Sequence, residues 1–256
     1  MPEVPLRIIS LVPSITELLF TLGLSDQVVG ITKFCVHPHE WFKSKKRIGG
    51  TKNIHVDQIK ALAPTLVIAN KEENIKEQVE ALEAFTNVHV TDVSNFEDAI
   101  KMIQEIGSIT HTEAKANEII LTIKDRFAEL NQLLHIQQLQ SLPCTYLIWQ
   151  DPYMTIGGDT YINDLIKRIG FNNVFANKTR YPSISLLDIE QSNCKVIFLS
   201  SEPYPFKQMH IDVFQKYFPN KLIILVDGEM FSWYGSRLLK AAGYFKLLTQ
   251  KVTEVL

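Results

Sequence analysis

Apolar residues fall into short unbroken runs separated by periodic polar stretches, and the alternation repeats along the chain. Ile8–Val12 is an apolar run ended by Pro13, the pattern of a strand buried on both faces of a parallel sheet. Ser14, with Glu17 three residues on, reads as an N-cap with its capping box. It opens a helix Ile15–Leu22 that Gly23 stops in a left-handed conformation. Gln27–Ile31 is the next strand, followed by a loop rich in aromatic residues and histidine from Phe34 to Phe42. Val56–Ala63 is helical, Leu66–Ala69 a strand and Glu73–Phe85 an amphipathic helix. Val88–Thr91 is a strand and Phe96–Ile106 a helix.

The longest periodic stretch runs from Thr112 to Gln140 without Gly or Pro. Ala116, Ile119, Ile120, Ile123, Phe127, Leu130 and Leu134 recur three or four residues apart, marking one apolar helical stripe. At 1.5 Å per residue this predicts a rod of roughly 43 Å, stopped by Pro143. It lacks a sustained heptad seam, so a coiled coil is the weaker alternative. Strand and helix then alternate again. Thr145–Trp149 is a strand with Tyr153–Ile156 as a partner, and Tyr161–Ile169 is a helix ending at Gly170. Leu186–Gln191 is helical and Val196–Ser200 a strand. Ile211–Tyr217 is a helix, Leu222–Val226 a strand and Ser236–Leu248 the closing helix.

This order predicts an α/β fold: two similar lobes with mainly parallel sheets, joined by one long rigid helix, with a ligand cleft between them. The expected boundaries are 1–107 for the N-terminal lobe, 108–142 for the connecting helix and 143–256 for the C-terminal lobe. The halves echo one another. HVDQIKALAPTLVIA (55–69) and SLLDIEQSNCKVIFL (185–199) both run short acidic helix, break, buried strand.

Composition narrows the function. Hydrophobic residues make up 46% and charged residues 21%, as in a folded soluble protein, and a net charge of -2 provides no basic field for a nucleic acid. No apolar run reaches the ~18 residues of a membrane span. The start, MPEVPLRIISLVPSITELL, shows neither a basic n-region nor a separate apolar h-region. The expectation is an intracellular protein, or one whose leader has been removed. Cys35, Cys144 and Cys194 have no paired spacing.

Ligands of open α/β sheets bind beyond the carboxyl ends of the strands. Those segments are strongly aromatic here: Phe34, Trp41, Tyr153, Tyr204, Phe206, Phe231, Trp233 and Tyr234, with Tyr181 in its Arg-Tyr-Pro loop. Such rings suit a bulky organic ligand. Cys35, His37 and His39, with Glu229, are the candidate metal ligands, although no H-x-x-x-H or C-x-x-C spacing supports them. Gly157-Gly158 before a helix reads as a turn and N-cap rather than a phosphate cradle, since neither phosphate-binding glycine pattern is present.

RIISLVPSITELLFTLG, IHVDQIKALAPTLVIA and IGGDTYINDLIKRIGFNNVF, in that order around a central rod, resemble the class III (helical-backbone) substrate-binding proteins of ABC importers. That family includes receptors for vitamin B12, ferric siderophores and haem. The resemblance implies a non-enzymatic periplasmic or cell-surface receptor, monomeric and without intrinsic cofactor, that hands a metal chelate or corrinoid to an ABC permease. It places Phe34, His37, Trp41, Tyr153, Arg180, Tyr181, Glu229, Phe231, Trp233 and Tyr234 at the ligand. Arg237 is expected in a structural ion pair. Thr51 and Asn70 stand near or at positions where the B12 receptor has tryptophan. Asp57 matches one acidic permease-docking position; Leu187 falls at the second, with Asp188 beside it. The alternatives are an intracellular metal- or cofactor-dependent enzyme, or a binding protein without a transporter, on the same fold.

Overall fold

A computed structural model describes residues 5–136 and 141–255. The chain forms two compact units, and the division falls inside one long helix after Leu121.

The N-terminal unit contains β1 (Ile8–Ser10), α1 (Pro13–Thr21), β2 (Val28–Ile31), α2 (His39–Ser44), β3 (Lys46–Arg47) and α3 (Val56–Ala61). It continues through β4 (Leu66–Asn70), α4 (Lys76–Glu83), β5 (Asn87–Thr91) and α5 (Phe96–Ile109) into α6 (Glu113–Ile136). Five parallel strands lie in the order β3-β2-β1-β4-β5. The chain reverses direction across the sheet between β1 and β4, so Val12 and Asn70 lie at the switch point where such folds receive ligands. Gly107 lets α5 and α6 touch: a Cβ there would lie 2.4 Å from that of Ala116.

The apolar stripe of α6 is buried as its spacing predicts, from Ala116 to Leu134. The helix runs unbroken for 24 residues, about 36 Å. The expected continuation to Gln140 falls on 137–140, outside the described residues. Pro143 belongs to the following strand.

The C-terminal unit contains β6 (Leu142–Trp149), β7 (Met154–Thr155), α7 (Tyr161–Arg168), β8 (Phe171–Asn173), α8 (Leu186–Gln191) and β9 (Val196–Ser200). It closes with α9 (Gln208–Tyr217), β10 (Leu222–Val226), α10 (Gly228–Ser232) and α11 (Leu238–Val255). The sheet order is β10-β9-β6-β7, with β8 also on β6 and only β7 antiparallel. On one side, Ile189, Ile197, Phe206 and Phe214 are among the residues of the core. Elsewhere in this unit Phe231 packs against Tyr146, Phe198 and Phe245 at 4.8–6.2 Å.

Several local expectations need correction. Ser14 is not the N-cap of α1. Val12 holds that position with no side-chain cap, and Ser14 is buried inside the helix. Pro13 fixes the first-turn dihedral without needing a cap, and Thr16 Oγ1 bonds back to Val12 O at 2.9 Å. The histidine-rich segment read as loop is partly helical in α2; six residues are too few for periodicity to register. The short elements β3, β8 and α10 escaped for the same reason.

Candidate functional site

In the N-terminal unit the carboxyl-end loops are tied together by amide side chains. Asn70 is buried; its Oδ1 accepts from Glu72 N at 2.9 Å and Glu73 N at 3.2 Å, while Nδ2 donates to Thr91 O at 3.1 Å. Asn74 Oδ1 accepts from Asn70 N at 2.8 Å, and its Nδ2 reaches Thr51 O at 3.0 Å. The loops 49–53 and 70–74 therefore brace one another through groups that burial obliges to find partners. Gly49, at φ 104°, lies where a Cβ would meet Asn53 O at 2.4 Å, which explains the glycine in GGTKN. The 49–53 loop walls a cavity of about 410 Å³ with Lys33, Phe34 and His55. Phe34 is 50% exposed at its rim, with Lys33 Nζ 5.1 Å from the ring centre.

The segment Trp233–Arg237 also belongs to this unit. His37 meets Trp233 edge-on at 5.6 Å, and the Arg237 guanidinium lies over the Trp233 ring at 4.8 Å. Arg237 Nε donates to Glu17 Oε2 at 2.9 Å in a buried ion pair, the structural role expected of it. Tyr234 is buried beside Trp233 in sequence. Trp41 is buried too, edge-on to Phe20 at 5.3 Å.

Of the three metal candidates, Cys35 is fully buried, bonded to Thr16 Oγ1 at 3.1 Å and Thr32 Oγ1 at 3.2 Å. Burial pushes its thiol up, which disfavours the thiolate a soft metal needs. His39 is exposed and stacks on Phe42 at 6.4 Å. No three His, Cys, Asp or Glu side chains converge on a metal position among the described residues.

In the C-terminal unit, Tyr153 and the 180–184 segment share a backbone ladder. Ile184 N donates to Tyr153 O at 2.9 Å, Thr155 N to Pro182 O at 3.0 Å and Gly157 N to Arg180 O at 2.6 Å. Tyr153, Arg180 and Tyr181 are thus brought together. Tyr153 packs on Phe214 at 5.4 Å, and the Arg180 guanidinium lies 5.6 Å from the Tyr181 ring. Gly157-Gly158 permits this crossing: a Cβ at Gly158 would lie 2.2 Å from Ala176 O, and one at Gly157 2.5 Å from Lys178 O. Thr160 caps α7 by accepting from Asn163 N at 3.2 Å. The turn-and-cap reading of the glycine pair therefore describes this segment.

Glu229 lies in the first turn of α10 and lines a cavity of about 630 Å³ with Ser201, Glu202, Phe206, Asp227 and Tyr244. Asp227 Oδ1 accepts from Glu229 N at 3.0 Å, Ser201 Oγ from Gly228 N at 2.9 Å, and Tyr244 Oη from Asp227 N at 2.9 Å. Phe231, in the same helix, is wholly buried and serves the core, leaving no surface for a ligand.

The exposed faces of α3 and α8 correspond. Ile54 and Ile59 are buried around Asp57 as Ile184 and Ile189 are around Leu187, which is 56% exposed. Asp57 lies in the first turn of α3. Asp188 closes a capping box with Ser185, whose N and Oγ donate to its carboxylate at 2.7 and 2.8 Å and hold it below the usual aspartate range.

Two lobes on parallel sheets, joined by one long helix and carrying aromatic and charged side chains on their carboxyl-end loops, define a protein of the substrate-binding class. The chain belongs to the periplasmic binding protein family, whose pattern matches residues 8–223. An uncharacterized ABC transporter substrate-binding lipoprotein of Bacillus subtilis is 29% identical over 182 residues; the match covers 68% of this chain and spans 57% of that relative. A vitamin B12-binding protein of Photorhabdus laumondii is 23% identical over 243 residues, covering 93% of this chain and 86% of its own. Among solved structures, the periplasmic vitamin B12 binding protein of Vibrio cholerae superposes with a TM-score of 0.82 at 18% identity, covering 98% of both chains. The apo periplasmic heme-binding protein of Roseiflexus gives 0.84 at 18% identity, covering 98% of this chain and 100% of its own. At such identities the likeness is one of fold. The family and these neighbours are binding proteins, and no helix among the described residues is long and apolar enough to cross a membrane.

Proposed function

We propose that the protein is a non-enzymatic receptor that captures a metal chelate or corrinoid (cobalamin, a ferric siderophore or haem) and presents it to an ABC permease outside the cytoplasmic membrane. The family match over residues 8–223 carries this reading. Relatives named as vitamin B12-binding proteins support the ligand class. Within the N-terminal unit Phe34, Trp233 and Tyr234 are the apolar contacts and His37 a further contact; within the C-terminal unit Tyr153 and Tyr181 are apolar contacts and Arg180 sets orientation by charge. Glu229 orients the ligand by charge. Asp57 and Asp188 meet the permease. Capture of this kind makes and breaks no covalent bond; it needs only stiff loops presenting aromatic faces.

The test is a melting screen of purified protein with cyanocobalamin, haemin and ferric chelates. Ligand at a hundredfold excess over its dissociation constant stabilises the folded chain by about 2.7 kcal/mol, a rise of roughly 5–10 °C at this size. At least one chelate should produce a concentration-dependent rise. A flat response to all of them rejects the reading.

A further inference from the structure

We propose that β5 is a self-association edge: two copies of this chain pair their β5 strands antiparallel, about a two-fold axis through His89. This is independent of the receptor reading above.

β5 ends the N-terminal sheet and pairs only with β4. Strands of a parallel sheet are ordinarily buried on both faces, and β4 is buried at every position. In β5 only Thr91 is buried, while Asn87 and Val90 are exposed, Val90 by 46%. A cavity of about 420 Å³, lined by Asn87, Val88 and His89 with Leu66 and Ile109, lies along its first residues, so α5 does not close over that end. Open edges are normally blunted by brevity, by Lys or Pro, or by a bulge. The opposite edge of the same sheet, β3, has two residues and both are basic. In the C-terminal sheet β7 has two residues and β10 is largely buried. β5 has five residues, neither Lys nor Pro, and an unshifted register with β4.

The strand is complementary to itself. Thr91 O accepts from Lys71 N at 3.0 Å, on the side of β4. Backbone groups alternate in direction along a strand, so Val88 and Val90 turn theirs to the free edge. A two-fold axis through His89 sets Val88 opposite the partner's Val90, and Val90 opposite the partner's Val88. Each of these two pairs exchanges both of its hydrogen bonds, which satisfies every outward group of the four valines. The side chains meet as β-branched pairs on one face. A slip of two residues either way would set a valine against Thr86 or Asp92 instead, so the register is specified. The charges beside the strand are already paired. Lys101 Nζ lies 3.5 Å from Glu105 Oε1, and Lys71 Nζ 2.6 Å from Asp92 Oδ2. Charges paired in this way put no single-sign field in the path of a second copy. Five residues a side fall short of the roughly 800 Å² per partner of a standard interface, so the dimer is reversible and forms at about micromolar concentration or above.

The experiment uses full-length protein without ligand. Sedimentation velocity is run from about 5 to 500 µM, and amide hydrogen exchange is followed by NMR at both ends of that range. The weight-average mass should rise with concentration from the monomer toward twice the monomer. When half the chains are paired, the Val88 and Val90 amides should exchange about twofold more slowly, while those of His89 and Thr91, turned toward β4, should not change. Val90→Lys sets a charge on the edge and should weaken association about tenfold or more. Val90→Thr, which stays β-branched, should retain most of it. Were V90K to fold poorly, the exchange of the two valine amides in wild type would still decide. A chain that stays monomeric at the highest concentration overturns the proposal and leaves the edge to other partners. A dimer in which the Val88 and Val90 amides do not slow, or one that V90K leaves undiminished, uses another surface and overturns it equally.

Discussion

Replacing Arg237 by methionine removes one half of an ion pair whose side chains are only 6% and 11% exposed. Glu17 then keeps a buried charge without the guanidinium 2.9 Å away. Breaking such a pair from one side costs about 3–5 kcal/mol, because the remaining charge is uncompensated. Loss of the cation over the Trp233 ring adds about 0.5–2 kcal/mol. With a urea slope of about 2–3 kcal/mol per molar, the midpoint should fall by roughly 1–3.5 M. The double variant E17Q/R237M removes both charges and should be more stable than R237M alone. Urea unfolding of wild type, both single variants and the double variant measures the coupling. A loss below about 1 kcal/mol in R237M, or strict additivity in the double variant, would refute a structural ion pair. The 233–237 segment holds Trp233 against His37, so R237M should also weaken whatever chelate the wild type binds.

Three further outcomes are expected. Gly158→Ala drives a methyl against Ala176 O, 2.2 Å away, and should destabilise the C-terminal unit by more than the ~1–3 kcal/mol of ordinary overpacking, read from the urea midpoint. Asp188 is held below its ordinary value by Ser185, so its contribution to stability is present above the usual aspartate range and disappears as pH falls through the depressed value; D188N should flatten the acid limb of the stability curve below about pH 4. All three thiols are buried and free, and burial raises each; a thiol reagent at neutral pH should modify none of them until the chain unfolds, and prompt reaction of Cys35 would contradict its place beside Thr16 and Thr32.

The elements legible in the sequence were those in which apolar period and breakers agree. Leu186–Gln191, Val196–Ser200 and Leu222–Val226 have the bounds their patterns predict, and Gly23 takes the positive φ expected of a helix stop. What depends on distant chain was less visible. The need for Gly157-Gly158 arises from backbone some twenty residues on, which no local pattern records. Phe231 reads like the other loop aromatics; only packing against Tyr146 and Phe198 separates a core ring from a surface one. Trp149 was read as the end of an apolar strand, and only the fold shows it 40% exposed. Asn70 and Asn74 look like loop residues, yet their amides fix the walls of the N-terminal cavity.

Titration calorimetry with recovery of the ligand separates a receptor from an enzyme in one experiment. One chelate should bind each chain and be recovered chemically unchanged. Absence of heat with every chelate tried, or recovery of a converted product, would contradict the receptor reading.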